Sequence, residues 1–214
     1  MKNCQDDNPT KLKILNCAIT LFAAKGFTET SMREIALDVG IKTASLYYYF
    51  PSKNALLKYV LDDYVGYVGN IFRGKNIYSR LHTDPTPDGI MSCLTLAYPE
   101  EKKEYYLKIL SVTLQEQYRN PIIRDFVTRQ MILSHEIVVK NITDTLKELN
   151  IICQDADLDF WIKASSSILY TYASRMLLGI GDTAPEFNGM GMVKLLKFLF
   201  ELLFFKYGNN PKKG

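Results

Sequence analysis

The chain has 214 residues, of which 47% are hydrophobic and 23% charged, values that exclude wholesale disorder and leave ample length for a buried core. The formal net charge is +3, and the whole excess lies in residues 1–60, where eight Lys and Arg outnumber five Asp and Glu. A basic first quarter hints at a polyanionic partner there, a hint that three charges alone do not carry.

Cysteines stand at 4, 17, 93 and 153, with no CxxC pair and with His82 and His135 far from them in sequence. A structural zinc site needs clustered ligands, so no metal and no cofactor is expected, and free thiols in a reducing cytoplasm are the simplest reading. The start, Met1-Lys-Asn-Cys-Gln-Asp-Asp7, lacks the apolar stretch of a secretory signal. Met190–Tyr207 is the most apolar segment, but Lys194, Lys197, Glu201 and Lys206 interrupt it, which argues against a membrane span.

The pattern is helical throughout, with no strand-like alternation. Asn8-Pro9 is a cap followed by proline at the first helical position, and Gly26 stops the helix that follows. Ser31-Met-Arg-Glu34 is a capping box that opens a short helix ending at Gly40. Another short helix runs from Thr43 to about Phe50, and Pro51 breaks it. Ser52 then caps a longer amphipathic helix through Leu56, Leu57, Val60, Leu61, Tyr64, Val65 and Val68. Residues 73–89 are the most loop-like segment and a candidate hinge. Further helices are expected over about 86–97, 101–118, 121–149, 157–178 and 190–207, giving an all-α chain of about nine helices.

Two short helices at a tight turn, behind a longer packing helix, form a helix-turn-helix layout. The first of such a pair crosses the phosphate backbone, and the second lies in the major groove with its early residues at base edges. Thr43 and Ser45 suit hydrogen bonds to bases, and Ala44 is small enough to meet a thymine methyl. Tyr47, Tyr48 and Tyr49 offer hydroxyls to phosphates, and Lys53 sits at a helix amino terminus, where phosphate is favoured. Ser31 and Arg33 flank the other backbone strand.

Gly26-Phe-Thr-Glu-Thr-Ser-Met-Arg-Glu-Ile-Ala36 and Val39-Gly-Ile-Lys-Thr-Ala-Ser-Leu-Tyr-Tyr-Tyr-Phe-Pro-Ser-Lys-Asn-Ala-Leu56 together resemble the amino-terminal domain of the TetR family of transcriptional regulators, over about residues 10–60. The resemblance implies Arg33, Thr43, Ala44 and Ser45 near bases, and Ser31, Tyr47, Tyr48, Tyr49 and Lys53 near phosphates. Two positions depart from the family. Lys42 stands where a capping serine is usual, so Thr43 is expected to cap instead. Asn54 replaces a glutamate.

The last helix has two apolar stripes. Val193, Leu196, Phe200 and Leu203 make one; Leu195, Phe198, Leu199, Leu202 and Phe205 make the other. A helix apolar on two faces must bury both, one on its own domain and one on a partner. The resemblance implies a homodimer built from the last two helices, and Ser166, Val193, Leu196, Phe200 and Leu203 are its candidate interface. It also implies a small-molecule effector, largely apolar and unidentified. Met91, Tyr98, Tyr105, Tyr106, Phe126, Met131, His135, Trp161 and Tyr170 are the candidate lining, although such residues also fill any helical core. The resulting expectation is a helix-turn-helix domain at 1–51 and a ligand-binding and dimerisation domain at 52–214. The protein would be a cytoplasmic, non-enzymatic repressor on a palindromic operator in double-stranded DNA. A thiol sensor at Cys93 or Cys153 and an interaction module using the last helix are the alternatives.

Overall fold

The computed structural model describes residues 8–74, 77–94, 100–177 and 189–209. Its helices are α1 (Pro9–Lys25), α2 (Met32–Val39), α3 (Thr43–Tyr49), α4 (Lys53–Gly74), α5 (Ile77–Thr83), α6 (Pro87–Leu94), α7 (Glu100–Glu116), α8 (Pro121–Phe126), α9 (Ser134–Glu148), α10 (Asp159–Leu177) and α11 (Gly189–Tyr207), with a π-helical stretch, Val127–Leu133, between α8 and α9. No strand stands among the described residues, and the fold is all-α. The residues group into two compact units, 1–70 with 97–128 and 71–96 with 129–214. The first unit is therefore larger than the 1–51 segment expected from sequence, because α7 returns to pack against α1.

In the first unit the local signals act as written. Asn8 Oδ1 accepts from the N–H groups of Thr10 and Lys11, and Pro9 fills the first helical position. Ile14, Leu15, Ala18, Ile19 and Phe22 form the buried stripe of α1. Gly26 ends it at φ 90° and Gly40 ends α2 at φ 79°, backbone that L side chains rarely adopt. The capping box at Ser31 and Glu34 is complete in both directions. Ser52 caps α4 through the N–H of Ala55, and Leu56, Leu57, Val60 and Leu61 bury its inner face. Lys42, however, occupies the cap position of α3 without a side-chain bond, and Thr43 is already the first helical residue, so it does not cap.

Two expectations need correction. Residues 73–89 are not one loop: α5 lies within them, anchored by the fully buried Leu81 and packed on α6 and α9. The helix expected over 121–149 is interrupted by the π-helical stretch, where the Ser134 hydroxyl donates to the Arg129 carbonyl at 2.9 Å. A wider turn of this kind shifts the facing of everything after it, which no period-3.6 reading anticipates.

The second unit packs α5, α6, α9, α10 and α11 around Leu81, Ile90, Val139, Ile142, Leu146, Ile152, Trp161, Leu196, Phe200 and Leu203. Asn150 takes the left-handed conformation just past α9, at φ 58°. The loop after it forms a short antiparallel bridge from Ile152 to Gly208, with Cys153 N–H on the Tyr207 carbonyl and Asn209 N–H on the Ile151 carbonyl. The carboxy-terminal end of α11 is thereby fastened to the α9–α10 connection.

This packing reverses the assignment of the two stripes on α11. Leu196, Phe200 and Leu203 are buried in the chain's own core and cannot serve as an exposed interface. Ser166 is buried too, donating to Glu136 Oε1 at 3.2 Å. The Val193 side chain lies outside the described residues. The other stripe is divided: Leu199 joins the core, while Leu195, Phe198, Leu202 and Phe205 are exposed, the last 90%. Hydrophobicity alone could not rank two stripes of similar composition. Accordingly, Leu203→Ala should cost about 2–5 kcal/mol in urea unfolding through the cavity it leaves, whereas Phe205→Ala should leave the stability of the isolated chain within about 0.5 kcal/mol.

Candidate nucleic-acid interface

The α2–α3 pair presents a continuous exposed surface. Leu46 is fully buried and anchors α3, while Ala44, Ser45, Tyr47 and Tyr48 point outward, Tyr48 with 87% of its surface accessible. Thr43 and Tyr49 are half-buried at the edges, and the Tyr48 and Tyr49 rings meet edge-to-face at 5.7 Å. Ser31 and Arg33, at the start of α2, are exposed, and Arg33 makes no ion pair among the described residues. One short helix, itself without an acidic residue, thus carries a small apolar residue, hydroxyls and two exposed rings.

The pair is set in place from behind. The Cys17 thiol on α1 donates to Asp38 Oδ2 on α2 at 2.8 Å. Burial, then the hydrogen bond and negative charge of Asp38, push this thiol up to about 12, so it is a protonated tether and a poor nucleophile at neutral pH. Lys25 and Glu34 form an ion pair between α1 and α2.

Lys53 proves to have a second commitment. Its ammonium donates to the carbonyls of Phe27 at 2.7 Å, Thr28 at 3.1 Å and Thr30 at 2.7 Å, and it lies 4.5 Å from the centroid of the Phe27 ring. An ammonium has three N–H donors, and these carbonyls match that number. Burial lowers its pKa, against the nearby negative charges of Glu29 and Glu116. Lys53 therefore holds the turn between α1 and α2. The opposite side of that turn is held by a residue sequence reasoning missed: Glu116 at the end of α7, whose Oε1 accepts from the Phe27 N–H at 3.0 Å. The two are 89 positions apart, and no local pattern marks a glutamate near a helix end as the partner of a distant turn.

The candidate effector residues divide between the units. In the first, Tyr106 is almost fully buried, stacked on Tyr67 at 4.3 Å and edge-on to Tyr64 and Tyr105, and Phe126 meets Tyr64 at 6.0 Å. The Tyr105 hydroxyl is buried with no hydrogen-bond partner. Burial first, and then the charge of Asp63, raise its pKa. In the second unit, Met91 and Trp161 belong to the core, Met131 and Tyr170 are half-buried, and His135 is buried on the inner face of α9, one turn before Val139. His135 Nε2 has no partner. Tyr98 lies outside the described residues. No described helix is long and apolar enough to cross a membrane.

Comparison with known proteins agrees with this geometry. Residues 14–60 match the family described as bacterial regulatory proteins, tetR family. The uncharacterised HTH-type transcriptional regulator YerO of Bacillus subtilis (strain 168) is 31% identical over 137 residues, which is 54% of this chain and 46% of that protein. The negative transcriptional regulator of the Staphylococcus aureus biofilm operon icaADBC, IcaR, is 42% identical over 72 residues, 32% of this chain and 39% of that one. The chain thus spans less than half the length of these curated relatives. The structure of the ketosteroid transcriptional regulator KstR2 of Mycobacterium tuberculosis superposes with a TM-score of 0.55 at 16% identity, covering 95% of this chain and 97% of that one, a likeness of fold. The amino-terminal helix-turn-helix domain of this chain belongs to the TetR family.

His135 gives this region a pH signature. Burial lowers its pKa from 6.5 to about 4. Between those values the unfolded chain binds a proton that the folded chain refuses, so stability must fall as pH falls. The expected loss between pH 7 and pH 5 is about 2 kcal/mol, read as a lower urea midpoint, and His135→Gln should remove that part of the pH dependence.

Proposed function

We propose that the protein is a transcriptional regulator that binds a near-palindromic operator in double-stranded DNA as a homodimer, represses, and is released by a small, largely apolar effector in the cytoplasm. The exposed face of α3 carries this reading. Thr43, Ala44 and Ser45 lie in the first turn of that helix, where a major-groove helix meets base edges. Hydroxyls there match base donors and acceptors, and the alanine methyl matches that of thymine. Tyr47, Tyr48, Tyr49, Ser31 and Arg33 are the backbone contacts in this scheme. Repression is favoured because IcaR, 42% identical over 72 residues, is a negative regulator.

The dimer is assigned to the exposed stripe of α11, Leu195, Phe198, Leu202 and Phe205, because a row of accessible phenylalanines and leucines is stable in water only when covered. The effector is inferred from the two buried groups without partners. Buried polar atoms are nearly always hydrogen-bonded, so the Tyr105 hydroxyl and His135 Nε2 each have room in their chemistry for a further partner. Burial of each group favours a ligand that is mostly hydrocarbon with one or two polar atoms.

Selection of double-stranded DNA from a random-sequence pool at physiological salt should enrich a two-fold symmetric site with half-sites about one helical turn apart. Substitution at Ser45 should change the preferred sequence, and weaker binding to an unchanged site would remove it from the base readers. Phe198→Asp should shift the protein to monomer in sedimentation velocity and abolish operator binding while the chain stays folded. A dimer that persists would place the interface elsewhere.

A further inference from the structure

We propose that Glu116 is the positioning residue through which α7 holds the helix-turn-helix in its DNA-binding geometry, an inference that rests on the DNA-binding reading above. The argument starts at one peptide unit. Phe27 has its N–H on Glu116 Oε1 at 3.0 Å and its carbonyl on the Lys53 ammonium at 2.7 Å. α7 and α4 therefore grip the same residue of the α1–α2 turn from its donor and acceptor sides. The grip is tight: a Cβ added at Gly26 would stand 3.0 Å from the same Glu116 oxygen, and Gly26 already needs φ 90°. The Thr30 hydroxyl closes the turn on the Gly26 carbonyl at 2.9 Å, and Ser31 then caps α2. A shift of Phe27 would pass directly into the start of α2.

Glu116 is 8% exposed. A carboxylate is costly to bury unless it has partners, and here it accepts from the Phe27 N–H and, after Glu29, favours the charged state of the nearby Lys53 ammonium. The carboxylate thus belongs to a two-side-chain clamp on the turn, and the other side chain, Lys53, comes from the helix that follows α3. Its hydrogen bond to the backbone of this turn comes from beyond residue 60. Any displacement of α7 would pull on that bond first.

Electrostatics and positioning predict opposite signs for its removal. Deleting a negative charge from a DNA-binding unit should by itself tighten DNA binding. Losing the clamp should weaken it. The test uses the full chain and the operator recovered by selection. Glu116→Gln, which keeps an acceptor but no charge, should bind several-fold more weakly, and Glu116→Ala, which orphans a buried N–H, about tenfold or more. Hydrogen exchange at the Phe27 amide, followed without DNA, should accelerate in both. Ile109→Val, a fully buried change on the same helix, should lower stability yet leave operator affinity unchanged. Wild-type or tighter binding by the Glu116 variants, or an unchanged Phe27 exchange rate, would overturn the proposal. Should Glu116→Ala fail to fold, Glu116→Gln carries both readouts. If the wild-type protein enriches no DNA, the regulator reading fails instead, and Phe27 exchange still decides whether the clamp exists.

Discussion

The backbone between α1 and α2 has no helix of its own to satisfy its peptide groups, and the amino-terminal unit is organised around that deficit. Gly26 bends the chain at φ 90°, which leaves the N–H of Phe27 and the carbonyls of Phe27, Thr28 and Thr30 without helical partners. A buried peptide group left unpaired costs about 1–3 kcal/mol. Lys53 supplies the donors and Glu116 the acceptor, so α4 and α7 are both required to complete a turn that neither contains. The position of α2, and through it of α3, follows from where these two side chains sit. The Cys17–Asp38 bond and the Lys25–Glu34 pair then fix α2 against α1.

The same accounting changes the meaning of several residues. Lys53 looks in sequence like a cation for phosphate, yet its ammonium donates to three carbonyls inside the fold. Cys17 is a proton donor to a carboxylate, which is the opposite of a redox-poised thiol. On α11, Leu196, Phe200 and Leu203, which looked suited to a partner, are core, and the exposed Phe198 and Phe205 are the ones that water disfavours.

Among the described residues, the Tyr105 hydroxyl and His135 Nε2 are buried without a hydrogen-bond partner. They lie in different units, and burial favours the neutral form of each.

What the sequence determined by itself was local. The Asn8 cap, the Ser31–Glu34 box, the glycine stops at 26 and 40 and the exposed α3 face all depend on residues within a few positions of one another, and a one-dimensional pattern contains such information. The all-α character was legible for the same reason. The tertiary structure decided what depends on distant partners. Glu116 meets a turn 89 residues away, α5 forms because Leu81 finds a core to enter, and the chain's own packing chose which stripe of α11 to bury. The π-helical stretch before α9 reset the facing of that helix in a way no fixed period could reveal. Each of these is a competition between alternative burials, and only the assembled core settles which one has lower free energy.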